Sequence, residues 1–343
     1  MRMHTILGMT VLIGIAACSD HQTGNTSKAK GQSSAVNPNL IEVICAASDE
    51  PVNVPLWAGT KQGIFERAGF RITEKAKRQD SERLRALDYE GAHIASVDLV
   101  AALSAMADDR KFVAAGVTID APGNTGLVGI NIESTRDLRG KTISVDRDSP
   151  AYLTLALLLK EVGIDVGNEA DVTIRHARED YLLSQIENGD ADAACAGEPC
   201  LGALLGVHGA KLLGKDTDTA ISKKYASSIG PEVLCLSRAW VDEDEARAKR
   251  FVRAYYEAVE WCASHPGETA ELAMQYAVGE ERETIGAALG NVKWFGWKDQ
   301  AALMSESRTL GMARQIGRVM KDVQVIEDVP GIDDWLAPEL FGE

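Results

Sequence analysis

The chain has 343 residues, of which 36 are basic and 51 acidic, giving a formal charge of −15 at pH 7. A surface this acidic repels phosphate backbones and excludes nucleic acid as a natural partner. The length is enough for two lobes around joined cores but short for two independent multilayer domains.

Taken from the start, Arg2 precedes an apolar run, Ile6 to Ala17, that ends at Ile15-Ala16-Ala17-Cys18. A basic start, a short apolar stretch and small residues before a cut site predict a secretory signal over residues 1–17. The run falls short of the roughly 20 residues that a spanning helix needs. The Ile-Ala-Ala-Cys tetrad resembles a bacterial lipobox. That resemblance implies that Cys18 carries the lipid, palmitate among its chains, and becomes the mature N-terminus. Asp20 resembles the signal that retains such lipoproteins at the inner membrane in some bacteria. Residues 18–39 are rich in Ser, Gly, Gln, Asn and Lys and hold almost no large apolar side chain. Such a segment cannot bury enough surface to offset its ordering entropy, so it reads as a flexible tether.

The folded part is predicted to begin near Leu40. Leu40 to Ala47 reads as a strand, followed by a loop with Asp49, Glu50, Pro51 and Pro55. Trp57 to Ala68 has helical spacing and stops at Gly69. Phe70 to Lys75 alternates as a second strand, Asp80 to Tyr89 is a polar helix closed by Gly91, and His93 to Val97 is a third strand. Two more strands are predicted at Phe112 to Val117 and Gly126 to Ile132. A second unit opens at Asp137. It runs through a strand at Thr142 to Val145, a Leu-rich helix at Ala151 to Val162 and a strand at Asp171 to Arg175. A helix at Tyr181 to Asn188 and a strand at Ala191 to Ala196 follow. A strand at Leu234 to Ser237 returns the chain to the first unit. Helices at Asp242 to Ser264, Pro266 to Val278, Arg282 to Gly290 and Ala301 to Met320 complete it. The alternation predicts an α/β fold of two mixed sheets, largely parallel in pairing and flanked by helices. Residues 40–130 and 236–343 form the predicted first lobe and 131–235 the second, with a ligand cleft between them.

Five segments carry a resemblance. Pro55-Leu56-Trp57 with Gln62 to Phe70, Ala92 to Asp98, Asp137 to Val145, Gly189 to Ala194 and the pair Glu198-Pro199 stand in one order along residues 40–265. In them the chain resembles the periplasmic binding proteins for sulfonates, taurine, nitrate and thiamine-pyrimidine precursors. The resemblance implies a two-lobed periplasmic binding protein fold and the substrate-binding role in an ABC importer. The partners it implies are a small-molecule solute, a permease and ATPase complex, and a membrane reached through the lipid on Cys18. It also implies a monomer at the periplasmic face of the inner membrane, or at the outer face of the cell membrane in a host with one membrane.

In open α/β sheets, ligands settle beyond the carboxyl ends of strands. That rule brings forward Glu50 and Trp57 after the first strand, Ser96 and Asp98 at the third, and Asp120 at the fourth. In the second lobe it brings forward Arg147, Ser149 and Tyr152. The same rule brings forward Glu198, and the resemblance places its Glu-Pro turn at the cleft. Ser149 and Pro150 have helix-entry spacing, and such an N-terminus suits a carboxylate, sulfonate or phosphate; plain capping accounts for the pair equally well. Carboxylates outnumber Arg147, the single base in these loops. The balance predicts a solute with an amine or ring nitrogen, such as a thiamine-pyrimidine precursor, with Trp57 or Tyr152 as a stacking face. The alternative is a sulfonate, taurine or nitrate oxyanion on Ser149 and the helix after it. An alternative of another class is a sensory or enzymatic lipoprotein on the same fold.

Beyond Cys18 the cysteines are Cys45, Cys195, Cys200, Cys235 and Cys262. An exported protein can bridge Cys195 to Cys200 across the Glu198-Pro199 turn if their Cα atoms come within about 7 Å. The sequence has no Cys-x-x-Cys or His-x-x-x-His pair, nucleophile elbow, P-loop or dinucleotide fingerprint, so neither metal, cofactor nor catalysis is expected.

Overall fold

The apolar run after Leu40 forms strand β1 (Ile41–Ala47), flanked in parallel by β2 (Phe70–Ala76) and β3 (Ile94–Asp98). The computed structural model describes residues 39–276, 282–305, 307–333, 335 and 337–341. The lipobox-like tetrad, Cys18 and the tether up to residue 38 lie outside the described residues.

The remaining strands are β4 (Phe112–Asp120), β5 (Thr125–Ile130), β6 (Thr142–Val145), β7 (Thr173–His176), β8 (Ala193–Gly197), β9 (Ala210–Lys215), β10 (Glu232–Ser237) and β11 (Lys293–Trp294). They form two sheets, ordered β11-β4-β10-β3-β1-β2 and β7-β6-β8-β5-β9. Both are mixed. In the first, β10 runs antiparallel between β3 and β4, because the chain re-enters that sheet from the side of the second. In the second, β6 is parallel to β7 and β8, while β5 is antiparallel to β8 and β9. The pairing of β5 places the passage between sheets at 121–124, not at 130–131; a boundary there would cut β5 from both its partners.

Helices cover the sheets: α1 (Val54–Lys61), α2 (Ile64–Arg67), α3 (Asp80–Tyr89), α4 (Leu99–Ala107), α5 (Pro150–Glu161), α6 (Glu179–Glu187), α7 (Cys200–Leu205), α8 (Ala220–Tyr225), α9 (Arg238–Glu243), α10 (Glu245–Ser264), α11 (Pro266–Tyr276), α12 (Arg282–Gly290), α13 (Gln300–Leu303) and α14 (Thr309–Asp322). The single helix expected at 57–68 is broken into α1 and α2 by Gly63. Its φ of +66° is left-handed backbone that glycine adopts without a Cβ clash. Helix α4 escaped prediction because Leu99-Val-Ala-Ala-Leu-Ser-Ala-Met-Ala107 has no polar face to set a period, and six of its nine residues are buried. Met312, Ala313, Ile316 and Met320 of α14 share one apolar cluster with Leu99 and Leu103 of α4 and Leu153 of α5. The last helix therefore packs where the two lobes meet. Among the described residues, no helix is long and apolar enough to cross a membrane.

Candidate functional site

The topology gathers strand ends of both sheets around one space. β1 and β3 run out at Ser48-Asp49-Glu50 and Asp98, and β10 begins beside them at Glu232. On the other sheet, β6 ends before Asp146, β7 before Arg178 and Glu179, and β8 before Glu198. Between them lies a cleft of about 890 Å³. Its lining includes eleven carboxylates and four arginines, with no lysine or histidine among the described residues.

The floor on the first lobe is a carboxylate nest. Glu232 and Asp98 are direct cross-strand partners, so their side chains leave the same face of the sheet. Ser96 donates from Oγ to Glu232 Oε2 at 3.2 Å, and Asp98 caps α4 by accepting from the Ala101 N–H at 2.8 Å. Arg83, almost wholly buried, is the cation within the nest. It pairs with Asp80 and donates from Nη1 to Glu50 Oε2 at 3.3 Å and to the Arg78 carbonyl at 3.2 Å. Desolvation pushes Asp98 and Glu232 above the usual carboxylate range, and for Glu232 the neighbouring Asp98 charge adds to it. On the second lobe, Glu179 accepts from the Gly197 N–H at 2.9 Å and is raised to about 7. Desolvation is again the main cause; the charges of Glu50 across the cleft and of Asp146 and Asp180 beside it add to the rise. Asp146 moves in the same direction through desolvation.

Of the residues singled out in the sequence, Glu50, Asp98, Ser149 and Glu198 line the cleft. Ser149 occupies the N-cap position of α5, but its hydroxyl donates to the Asp146 carbonyl at 2.8 Å and makes no cap bond. Glu198 accepts from the Gly202 N–H at 3.0 Å at the start of α7, after a cis Glu198–Pro199 bond. Ser96 lies beneath the lining, as the partner of Glu232. Asp120 is buried between the two passages, where it accepts from the Ser228 N–H at 2.9 Å. Three expected residues stand elsewhere. Trp57 is 1% exposed and stacks on Tyr276 at 4.6 Å, fastening α1 to α11 rather than facing a ligand. Tyr152 is buried with its ring edge-on to His176 at 5.3 Å. Arg147 is not part of the lining; it donates to the Gln324 carbonyl at 2.5 Å. The Cys195–Cys200 bridge that the spacing allowed does not form, since Cys195 is a free thiol fully buried in β8. Among the described residues, no three His, Cys, Asp or Glu side chains are grouped to hold a metal ion.

Two mixed sheets that face a polar cleft across paired chain passages define a periplasmic binding protein fold. The NMT1/THI5-like family matches residues 50–269, and the chain belongs to that family. Comparison with curated proteins returns no match. Among solved structures, the periplasmic aliphatic sulphonate binding protein SsuA from Escherichia coli superposes with a TM-score of 0.71 at 14% identity, covering 88% of this chain and 99% of that one. The alkanesulfonate-binding protein SsuA from Xanthomonas axonopodis pv. citri, bound to MOPS, gives 0.67 at 14% identity over 88% and 99%. The desulfurization enzyme DSZB gives 0.63 at 15% identity over 88% and 97%. At such identities the likeness is one of fold, and the same fold serves binders and an enzyme.

Proposed function

We propose that the protein is the solute-binding component of an ABC-type importer and that its cleft captures a solute with a protonated amine or ring nitrogen. The observation that carries this reading is the cleft lining, where eleven carboxylates meet four arginines. To reach Arg83, the most buried of those arginines, a sulfonate or nitrate would have to displace Glu50 and Asp80. A cation needs no such exchange, because the cleft lining offers it carboxylates directly. An aminopyrimidine of the thiamine-precursor type is one solute of this class. Family membership supports the binding role. The desolvated thiols of Cys45, Cys195, Cys235 and Cys262 have their pKa values pushed up, the wrong direction for a nucleophile. The lipobox-like tetrad at Cys18 supports a lipid anchor that holds the binder beside a permease and ATPase.

A second reading, an oxyanion binder, has one observation in its favour. Ser149, Pro150 and Ala151 bring the first turn of α5, a twelve-residue helix, to the cleft wall, and helix N-termini attract anions. A thermal-shift panel of amines, aminopyrimidines, sulfonates and nitrate at pH 7.5 separates the two. A ligand at about 100 times its Kd adds about 2.7 kcal/mol of stability, a readable shift. The proposal expects shifts from the nitrogen bases alone. Shifts from sulfonates or nitrate alone would transfer the assignment to the second reading.

A further inference from the structure

We propose that the cleft takes a solute with two cationic groups, one seated between Asp98 and Glu232 on the first lobe and the other at Glu179 and Asp146 on the second. This rests on the cationic reading above and goes further, because it fixes the number and placement of the charges.

The two carboxylate sets belong to different sheets, and each faces the same cavity. The buried arginine serves only one of them: Arg83 is committed to Asp80 and Glu50 in the first lobe. In the second lobe Arg178 pairs with Asp180, which leaves Glu179 held by a backbone N–H. Glu50 and Glu179 line the same opening from opposite lobes. Closing the lobes over a single positive charge would neutralise one set and press the other against it. A dication satisfies both, so the same contact that binds it also favours closure. An independent feature points to a ligand in the space between. Ser228, at the passage between the sheets, lines the cavity and is 6% exposed, and its hydroxyl has no hydrogen-bond partner among the described residues. Buried hydroxyls are ordinarily satisfied; this one stands in the cavity wall, where a ligand N–H can supply the missing bond. The cavity of about 890 Å³ admits a chain rather than a lone ammonium group.

The test is calorimetric titration of the full mature chain with linear diamines of four to eight carbons, against monoamines of matched length. The expected result is at least one diamine binding about tenfold or more tighter than its monoamine. Glu179→Gln, and independently Asp146→Asn, should weaken that diamine at least about fivefold more than the monoamine; circular dichroism checks that both variants fold. Equal affinity for diamine and monoamine, or equal losses in the variants, would overturn the two-charge proposal and leave the cationic reading standing. Binding of no amine at all would overturn the two-charge proposal, and no shift from aminopyrimidines besides would overturn the cationic reading as well.

Discussion

Glu232 and Asp98 face each other across β10 and β3, with Ser96, Arg83 and Glu50 as the polar and charged groups around them. Both carboxyls are raised by desolvation, so the folded protein binds more protons than the unfolded chain at pH values above the ordinary carboxylate range. Stability contributed by the pair is therefore present at low pH and falls as pH rises through the interval between the unfolded and folded values. Glu179, raised to about 7, pulls in the same direction. Glu232→Gln removes one of these groups. Scanning calorimetry should show the variant gaining melting temperature relative to the parent at pH 9 and gaining less at pH 5. An identical difference at both values would contradict a raised carboxyl at 232. Part of this site could be read from sequence: Glu50, Asp98, Ser149 and Glu198 follow strand ends, and that rule finds them. Glu232 was missed because it starts an antiparallel strand, at the end that the rule ignores. Arg83 hides in the middle of a polar helix whose pattern suggests solvent, and Glu179 in a first turn looks like ordinary compensation of the helix dipole. Trp57 and Tyr152 are large aromatics placed beside site loops in sequence; packing against Tyr276 and His176 claims them instead.

At the scale of elements, β4 holds an irregularity that side chains repair. Its register with β10 slips between Val233, opposite Val117, and Cys235, opposite Ala114, so β4 carries one extra residue there. Gly116, at φ +88°, takes the left-handed turn, and a Cβ there would collide with Gln300 and Tyr256. Those two side chains satisfy the displaced backbone. Gln300 Oε1 accepts from the Val117 N–H at 3.0 Å, and its Nε2 donates to the Val117 carbonyl at 2.8 Å. Tyr256 donates to the Ala115 carbonyl at 2.7 Å. Gln300→Leu strands a buried N–H and weakens the carbonyl's pairing, and should cost about 3 kcal/mol in urea unfolding. A loss below about 0.5 kcal/mol would show that the bulge finds other partners. None of this was legible in the sequence, because Gln300 lies 183 residues from Val117. The strands β1, β3 and β6 were legible because apolar runs between turn residues report burial directly, and β2 because its apolar and polar residues alternate. Elements α4, α7, α8 and β9 were not: they are short or uniformly apolar, and their periods do not stand out.

For the whole molecule, the two lobes meet at two passages, 121–124 and 226–231. Buried carboxylates tie them. Asp120 accepts from the Ser228 N–H, and Asp216 accepts from the Gly123 N–H at 2.9 Å. Helix α14 lies across this junction and packs on α4 and α8, and Arg147 of the second lobe reaches the Gln324 carbonyl just beyond it. Hinged closure about these passages would bring the carboxylate sets of both lobes onto one solute. The central claim is that this acidic cleft captures a positively charged, nitrogen-bearing molecule. Native mass spectrometry of protein purified from its own host, with the released solute identified, tests it directly. The account predicts a basic amine or protonated heterocycle, and a sulfonate, nitrate or other anion in its place would contradict it.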